Sequence, residues 1–193
     1  MKIASSIIVV LVIAVVVLWK VSYASDTLRY KMTVTVETPE GLKTGSAVRE
    51  LTIHRGLSLF PQMSPKITLR GEAVVVDLGK RGVVFALLSG YRAGPDYGKN
   101  IPLYAFGMWG GENYTAEDVV RNFEGATKKA ELLPAWYPQL VYFKDLQDPK
   151  TVENLLEYKR CPDARGIPNN TMCLDKDHFG DAFGEGVKLK SVS

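Results

Sequence analysis

Two hydrophobic patterns divide this chain. Residues 3–19 are predominantly apolar and uncharged, and they lie between Lys2 and Lys20. The remainder consists of short stretches in which apolar and polar residues alternate. A continuous apolar segment suits lipid, whereas alternation suits strands with one buried face. The sequence therefore predicts an N-terminal membrane anchor over residues 1–24 and a single globular domain over residues 25–193.

The apolar segment fits a transmembrane helix. At about 1.5 Å per residue it reaches roughly 26 Å, just short of a hydrocarbon core of about 30 Å. The two flanking lysines can extend to the interfaces and make up the difference. A cleaved secretory signal is the alternative, because Ser22 and Ala24 are small residues at the positions that a signal peptidase reads. A helix buried in the core of the domain is the third interpretation.

The basic residues do not decide which side of the membrane holds the domain. Lys2 lies on one side of the apolar segment, and Lys20, Arg29 and Lys31 lie on the other. A very short N-terminal tail and the presence of two cysteines favour a tail inside and a domain outside. We therefore expect a single-pass inner-membrane protein with a periplasmic domain, and the opposite orientation stays open.

A long hairpin is predicted at the start of the domain. Residues 28–37 alternate cleanly between apolar and polar side chains, which is typical of a half-buried strand. The segment Thr38-Pro39-Glu40-Gly41 has the composition of a turn. Residues 43–54 then return as the second strand, in which Gly45 indicates a bulge or a close approach of another backbone.

Further strands follow the same pattern. Residues 72–78 and 83–88 predict a second hairpin, and their nearly continuous apolar runs indicate strands covered on both faces, with helices supplying one cover. Three shorter strands are predicted elsewhere, at residues 67–70, 139–143 and 187–192, the last of them at a sheet edge.

Helices are predicted mainly in the second half of the chain. Their signals are a capping residue followed by apolar positions at helical spacing, and they occur at residues 115–125, in a turn or two at 128–133, from Asp148 and Pro149 through Leu156, and in a single turn at 177–183. With about seven strands, the predicted class is α+β: a mainly antiparallel sheet with two or three packed helices, preceded by one transmembrane helix.

The charge of the chain serves only to exclude one class of partner. The chain has 24 Lys plus Arg and 21 Asp plus Glu, and removing Lys2 and Lys20 leaves 22 basic against 21 acidic residues. The domain is therefore nearly neutral, and no basic stripe follows its sequence. These features argue against nucleic acid as a partner.

An unusual segment rich in glycine and aromatic residues spans residues 90–113. Segments of this length without regular structure are either functional or held down by their own side chains. Tyr97, Tyr104 and Trp109 are the candidate contact residues, because such rings supply rigid amphipathic surface. The two interpretations are a binding patch and a small internal core.

The two cysteines, Cys161 and Cys173, are too far apart for a redox motif. In an oxidising compartment they would form a disulfide worth up to about 3 kcal/mol, while free thiols or a metal site with Asp175 and His178 are the alternatives.

No metal site is predicted. The stretch that begins at Asp175 resembles a calcium-binding loop at the first, third and sixth positions, but Gly186 stands where a bidentate glutamate is required. A pair of aspartates that opens a short helix is the simpler interpretation.

No catalytic constellation is evident either. His54 and His178 have no metal-ligand spacing, and no serine-nucleophile signature or phosphate-binding glycine loop is present. The sequence thus predicts no catalytic residue and no cofactor.

Several strings resemble a family of uncharacterised proteobacterial proteins that mostly carry an N-terminal hydrophobic segment. The resemblance covers most of residues 30–193 and rests on VETPEG, TGSAVRE, GEAVVVDLG and YFKDLQDPKTVE. It implies a pattern but no activity, cofactor or site. Two departures are a longer segment at residues 155–176, which holds both cysteines, and a last strand that would be expected to continue past Ser193.

The predicted function is therefore binding rather than catalysis. The first hypothesis is a membrane-anchored periplasmic domain that binds or scaffolds another envelope protein, with the membrane contacted through residues 3–19. The alternatives are an accessory subunit of a membrane complex and a hydrolase-like envelope enzyme with a site near His54 and the glycine-rich segment.

Overall fold

The structure is a computed structural model, and it describes residues 11–14, 16, 25–54, 66–91, 94, 96–108, 122–123, 127–162 and 168–193. Residues 11–14 and 16 are helical, with Leu11 and Ile13 exposed. The rest of the predicted anchor lies outside the described residues. Within the described part of the chain, no helix is both long enough and apolar enough to cross a membrane.

The described domain is built mainly from strands. They are β1 Ser25–Thr38, β2 Gly41–His54, β3 Lys66–Gly71, β4 Val74–Asp77, β5 Val83–Gly90, β6 Pro138–Phe143, β7 Val152–Asn154, β8 Leu156–Pro162, β9 Pro168–Asp177 and β10 Lys188–Val192. Two α-helices have defined bounds, α1 Tyr97–Ala105 and α2 Phe179–Phe183.

The first sheet has the strand order β10-β1-β2-β3 and is antiparallel throughout. β1 and β2 pair along their whole length, from Ser25 opposite His54 to Thr38 opposite Gly41. This confirms the predicted hairpin and its turn. β10 pairs with the other side of β1 and forms one edge of the sheet, as predicted.

The second sheet has the order β4-β5-β6-β7, and β8 and β9 form a separate hairpin. β4 and β5 are the predicted second hairpin, joined by a 3₁₀ turn at Gly79–Arg81. All strand pairs in the described residues are antiparallel. The predicted α+β class with a mainly antiparallel sheet is therefore confirmed for this part of the chain.

The core lies between the two sheets. Val34 and Val36 of β1 are fully buried, as are Val74 and Val76 of β4. On β4 the buried residues alternate with exposed ones, and Val75 is 49% exposed. The prediction that both faces of this hairpin are covered is thus wrong for β4, because its cover is the first sheet and its outer face is open.

The two sheets approach each other closely at Gly45. A Cβ atom built on Gly45 would lie 1.9 Å from the backbone oxygen of Val75 and 3.1 Å from a side-chain carbon of Val76. The close backbone approach predicted from the sequence is confirmed. A side chain here would push β4 away from β2.

The prediction of a helix that begins at Asp148 is wrong. Asp148 does cap a turn, since its carboxylate accepts a hydrogen bond of 2.9 Å from Lys150 N, but the turn is a single 3₁₀ turn. Val152–Asn154 then pairs with β6 as β7. The chain reverses here because the Thr151 hydroxyl donates to the backbone carbonyl oxygens of Asp145 and Asp148. These bonds close the β6–β7 hairpin.

The helical turns predicted at residues 128–133 are also absent. Residues 127–133 are irregular and not helical, and Leu132 N donates a 2.8 Å hydrogen bond to Val192 O. The Leu132 N–H therefore finds its hydrogen-bond acceptor on β10, whereas in a helix the acceptor would lie within the same segment. The short helix predicted at residues 177–183 is confirmed as α2.

α1 lies in the glycine- and aromatic-rich segment that the sequence left without regular structure. It contains Gly98 and Pro102, which both disfavour a helix interior. Close packing favours glycine at position 98, since a Cβ there would displace the end of the Leu69 side chain and lie 3.2 Å from Leu88 O. The helix predicted at residues 115–125 lies outside the described residues except for Asn122 and Phe123, which are helical.

The contact at Gly45 generates a stability prediction. Gly45→Ala is expected to lower the free energy of unfolding by about 1–3 kcal/mol, because the new methyl group collides with backbone rather than with a flexible side chain. Gly180→Ala is the matched control, since nothing lies within 4 Å of a Cβ at that position. Urea unfolding of both variants measures the difference, and equal stabilities would show that the sheets do not meet as described.

Candidate binding groove

A groove of about 680 Å³ lies between β1, α1 and the irregular segment at residues 127–132. Seven of its lining residues come from β1, and all but one of these are consecutive: Leu28, Arg29, Tyr30, Lys31, Met32, Thr33 and Thr35. Consecutive residues of a strand point to opposite faces. The groove therefore runs along the edge of β1 and not over one of its faces.

The floor of the groove is apolar. Met32 on β1 and Ile101 on α1 are almost completely buried, at 1% and 5% exposure. Phe106 and Phe123 pack against each other with ring centroids 4.6 Å apart, and both line the groove. These side chains offer apolar contact to any segment or chain that enters.

The walls of the groove are basic. Arg29 and Lys31 line it on one side and Lys128 and Lys129 on the other, and no acidic residue is among its described lining residues. Arg29 is partly neutralised, because its Nε donates to Glu50 Oε2 at 2.8 Å. The charged side chains among the described lining residues are thus all basic.

Tyr30 separates the groove from a buried cation. Its hydroxyl donates a 2.6 Å hydrogen bond to Gly98 O, which ties β1 to α1. Behind it lies Arg49, the residue directly opposite Tyr30 on β2. Burial raises the pKa of the Tyr30 phenol, and the neighbouring Arg49 guanidinium partly offsets that effect.

Arg49 is fully buried, at 0% exposure. Its Nη2 donates to Leu87 O at 3.3 Å, but Nε and Nη1 have no hydrogen-bond partner among the described residues. A buried guanidinium without a carboxylate partner is costly.

Tyr97 and Tyr104, two of the three predicted contact residues, are buried. Their exposures are 1% and 4%, and Tyr97 donates its hydroxyl proton to Trp136 O at 2.6 Å. Tyr104 stacks on Trp136 with ring centroids 4.1 Å apart. These two rings hold α1 onto the domain and offer no surface patch, and Trp109 lies outside the described residues.

The predicted disulfide between Cys161 and Cys173 is confirmed. It joins β8 to β9 with the two Cα atoms 5.2 Å apart, so it staples a hairpin and not an irregular loop. The hairpin was missed by the sequence reasoning because its strands are mostly polar. The disulfide lies in an element that does not line the groove.

The two histidines lie in different surroundings. His54 is exposed at the end of β2, with its Nε2 3.4 Å from Thr68 Oγ1. His178 lies between two carboxylates, 3.1 Å from Asp181 Oδ2 and 2.9 Å from Glu157 Oε1. These bonds, chiefly the one to Asp181, raise the pKa of His178.

The acidic residues near the second cysteine stabilise local structure. Asp177 Oδ1 accepts from Phe179 N at 2.9 Å at the start of α2, which agrees with the simpler interpretation of this stretch. Asp175 forms an ion pair with Lys159 across the β8–β9 hairpin. No group of three or more His, Cys, Asp or Glu side chains in the described residues is placed to hold a metal ion.

Comparisons with known protein families, with characterised proteins and with solved structures found no match to this chain. The candidate site therefore rests on its own geometry. Sequence reasoning missed the groove, but one signal was present. Arg49 occupies an inward position of β2, in step with the buried Leu51 and Ile53, where an apolar residue is expected.

The buried cation generates a test. Arg49→Met is expected to leave the free energy of unfolding unchanged or to raise it by about 1–4 kcal/mol. The methionine fills the space of the aliphatic part of the arginine side chain and buries no charge. Arg49→Ala is expected to lower this free energy by roughly 2–5 kcal/mol through the cavity that it leaves. Denaturant unfolding of both variants measures these free energies. Strong destabilisation by Arg49→Met would contradict the account, because it would mean that the guanidinium has an anionic partner.

The histidine cluster generates a pH prediction. Since the folded state raises the pKa of His178, its contribution to stability is fully present below the ordinary value near 6.5. It is lost as the pH rises through the folded-state pKa. We expect the unfolding midpoint to fall over this interval and His178→Gln to remove the step. His54→Gln, which leaves the cluster intact, should keep it, and an unchanged step in His178→Gln would refute the assignment.

Proposed function

We propose that this chain is a membrane-anchored binding domain whose groove receives a polypeptide partner. In this proposal residues 3–19 span the inner membrane and residues 25–193 project into the periplasm. The partner is another envelope protein, and the chain acts as a binding or scaffolding component without catalysis. If the partner is bound permanently, the chain is an accessory subunit of a larger membrane complex.

The observation that carries the proposal is the composition of the groove. An apolar floor that includes Met32, Ile101 and Phe106 gives affinity, and the basic residues of its walls give selection by charge. A volume of about 680 Å³ is in the range of pockets that hold ligands. The groove is open and elongated along a strand, which suits a polypeptide segment.

The proposed location has separate support. The uncharged apolar segment has nearly the length of a transmembrane helix, and its described residues 11–14 and 16 are helical. A disulfide between Cys161 and Cys173 persists in an oxidising compartment such as the periplasm. The resemblance to proteobacterial proteins with an N-terminal hydrophobic segment agrees with an envelope protein.

Site-specific photo-crosslinking in cells tests the binding role. Benzoylphenylalanine in place of Phe106, which lines the groove, is expected to give one discrete adduct whose mass spectrum contains peptides of an envelope protein. The same residue in place of Leu146, which is 60% exposed in the β6–β7 turn and does not line the groove, should give none. Reversal of the wall charge by Lys128→Glu and Lys129→Glu is expected to remove the adduct.

The outcomes of this experiment separate the alternatives. Equal adducts at positions 106 and 146, or no adduct at position 106, would contradict a specific groove. A mass increase of lipid size at position 106 would contradict a polypeptide partner. An adduct that survives the charge reversal would contradict selection by the basic walls.

A further inference from the structure

We propose that the outer face of the first sheet, at the end nearest the predicted anchor, docks on the anionic headgroups of the lipid bilayer. This surface, the proximal face, consists of the outward side chains of residues 25–31, 48–54 and 66–70. The inference rests on the proposed anchoring through residues 3–19. It goes beyond the groove, because it specifies how the domain lies on the membrane that holds it.

The strand register places these side chains on one face. Arg29 lies opposite Glu50 on β2, and Glu50 lies opposite Arg70 on β3, so the three residues form a row across the sheet. Arg29 Nε donates to Glu50 Oε2 at 2.8 Å, which agrees with a shared face. Leu51 and Ile53, which alternate with the outward residues of β2, are only 3% and 1% exposed. The proximal face is therefore the one turned away from the buried side of the sheet.

The proximal face is basic. Its cationic residues are Arg29, Lys31, Lys66 and Arg70, which are all exposed, and its one anionic residue is Glu50, which is partly buried. Without these five, the 22 basic and 21 acidic residues of the domain become 18 basic and 20 acidic, so the rest of the domain is net negative. A nearly neutral domain thus concentrates positive charge on one face, and such a face is attracted to an anionic surface.

The anchor reaches the sheet at this end. β1 begins at Ser25, and residues 20–24 can separate it from the apolar segment by no more than about 20 Å. Lys66 belongs to the same row as Ser25, and Lys31 lies six residues further along β1, or about 20 Å. The cationic side chains are therefore within reach of the headgroups. Because the tether is short, weak contacts with several headgroups are enough to hold the face on the bilayer.

The shape of the proximal face suits a bilayer better than a protein. Thr27, Thr52 and Thr68 form a row of short side chains between the cationic ones, so the longer lysine and arginine side chains meet an approaching flat surface first. Val48, at 58% exposure, is the one large apolar side chain on this face. A protein partner is usually held by an apolar interface core, which is missing here, whereas a headgroup layer requires only charge.

Lysine footprinting of the full-length chain in nanodiscs tests this inference. The nanodiscs contain phosphatidylcholine alone or phosphatidylcholine with phosphatidylglycerol, and mass spectrometry follows acetylation by a water-soluble reagent. Phosphatidylglycerol is expected to slow the acetylation of Lys66 and Lys31 by about threefold or more at low salt, and high salt should remove the difference. Lys80 and Lys150, which are exposed but lie off this face, should react equally in both lipids. Equal reaction of Lys66 in the two lipids would overturn the proposal.

Two matched double variants separate the face from the overall charge. Lys66→Gln with Arg70→Gln removes two cations from the proximal face, and Lys80→Gln with Lys150→Gln removes two from elsewhere. The first pair is expected to lower the protection of Lys31 by phosphatidylglycerol by about twofold or more, and the second pair should leave it unchanged. Equal protection of Lys31 in the two variants, with matching melting temperatures, would contradict docking through this face.

The same experiment distinguishes failure of this inference from failure of the proposed function. If the chain enters nanodiscs but Lys66 is not protected, docking through this face is wrong, while the anchor and the groove stand. If the chain does not enter nanodiscs, the anchor is wrong, and this inference falls with it. Protection of Lys128 and Lys129 without Lys66 would place lipid in the groove and contradict both proposals. Protection of Lys66 in native membrane vesicles but not in phosphatidylglycerol nanodiscs would identify a protein as the occupant and overturn the inference.

Discussion

The unequal pairing of the two edges of β1 is the constraint on which the candidate site depends. Along one edge, all fourteen residues from Ser25 to Thr38 are paired with β2. Along the other edge, β10 accompanies β1 only from Thr33 onward. The fully bonded side fixes the position of β1, and residues 28–33 of the same strand line the groove.

The rest of the domain holds that edge in place. The two sheets meet at Gly45, where the absence of a side chain lets β4 lie directly on β2. α1 contributes to the floor of the groove and is attached by two tyrosines, with Tyr30 bonded to Gly98 O and Tyr97 bonded to Trp136 O. The wall opposite β1 is fixed where Leu132 bonds to Val192.

Arg49 links the core to the groove through Tyr30. A buried guanidinium with two nitrogen atoms that have no hydrogen-bond partner among the described residues is an expensive feature in a domain of this size. Its position directly behind a groove-lining tyrosine extends the positive potential of the walls into the floor. The cation therefore adds positive charge behind the floor of the groove, although it makes no contact with the solvent.

The sequence predicts the strands well where burial is regular, as in β1, where apolar and polar residues alternate over the whole predicted stretch. It fails where tertiary bonds override local signals. Asp148 and Pro149 have the composition of a helix start, but bonds from Thr151 close a hairpin there instead. α1 forms despite Gly98 and Pro102, with its buried residues Ile101 and Tyr104 packed in the core of the domain. The groove was not predictable, since it forms where β1, α1 and the irregular segment at residues 127–132 come together in the fold, and no local residue pattern encodes that arrangement.

Backbone amide exchange along β1, measured by NMR on the full-length protein in nanodiscs, tests the unequal pairing of its two edges most directly. The amides of Tyr30 and Met32 face β2 and are expected to exchange slowly, as is Thr33, which is bonded to Ser193. The amides of Arg29 and Lys31 are expected to exchange at least about a hundredfold faster, since neither has a partner on that side in the described residues. Protection of Arg29 and Lys31 equal to that of Thr33 would show that the chain itself covers this edge, and would contradict the account.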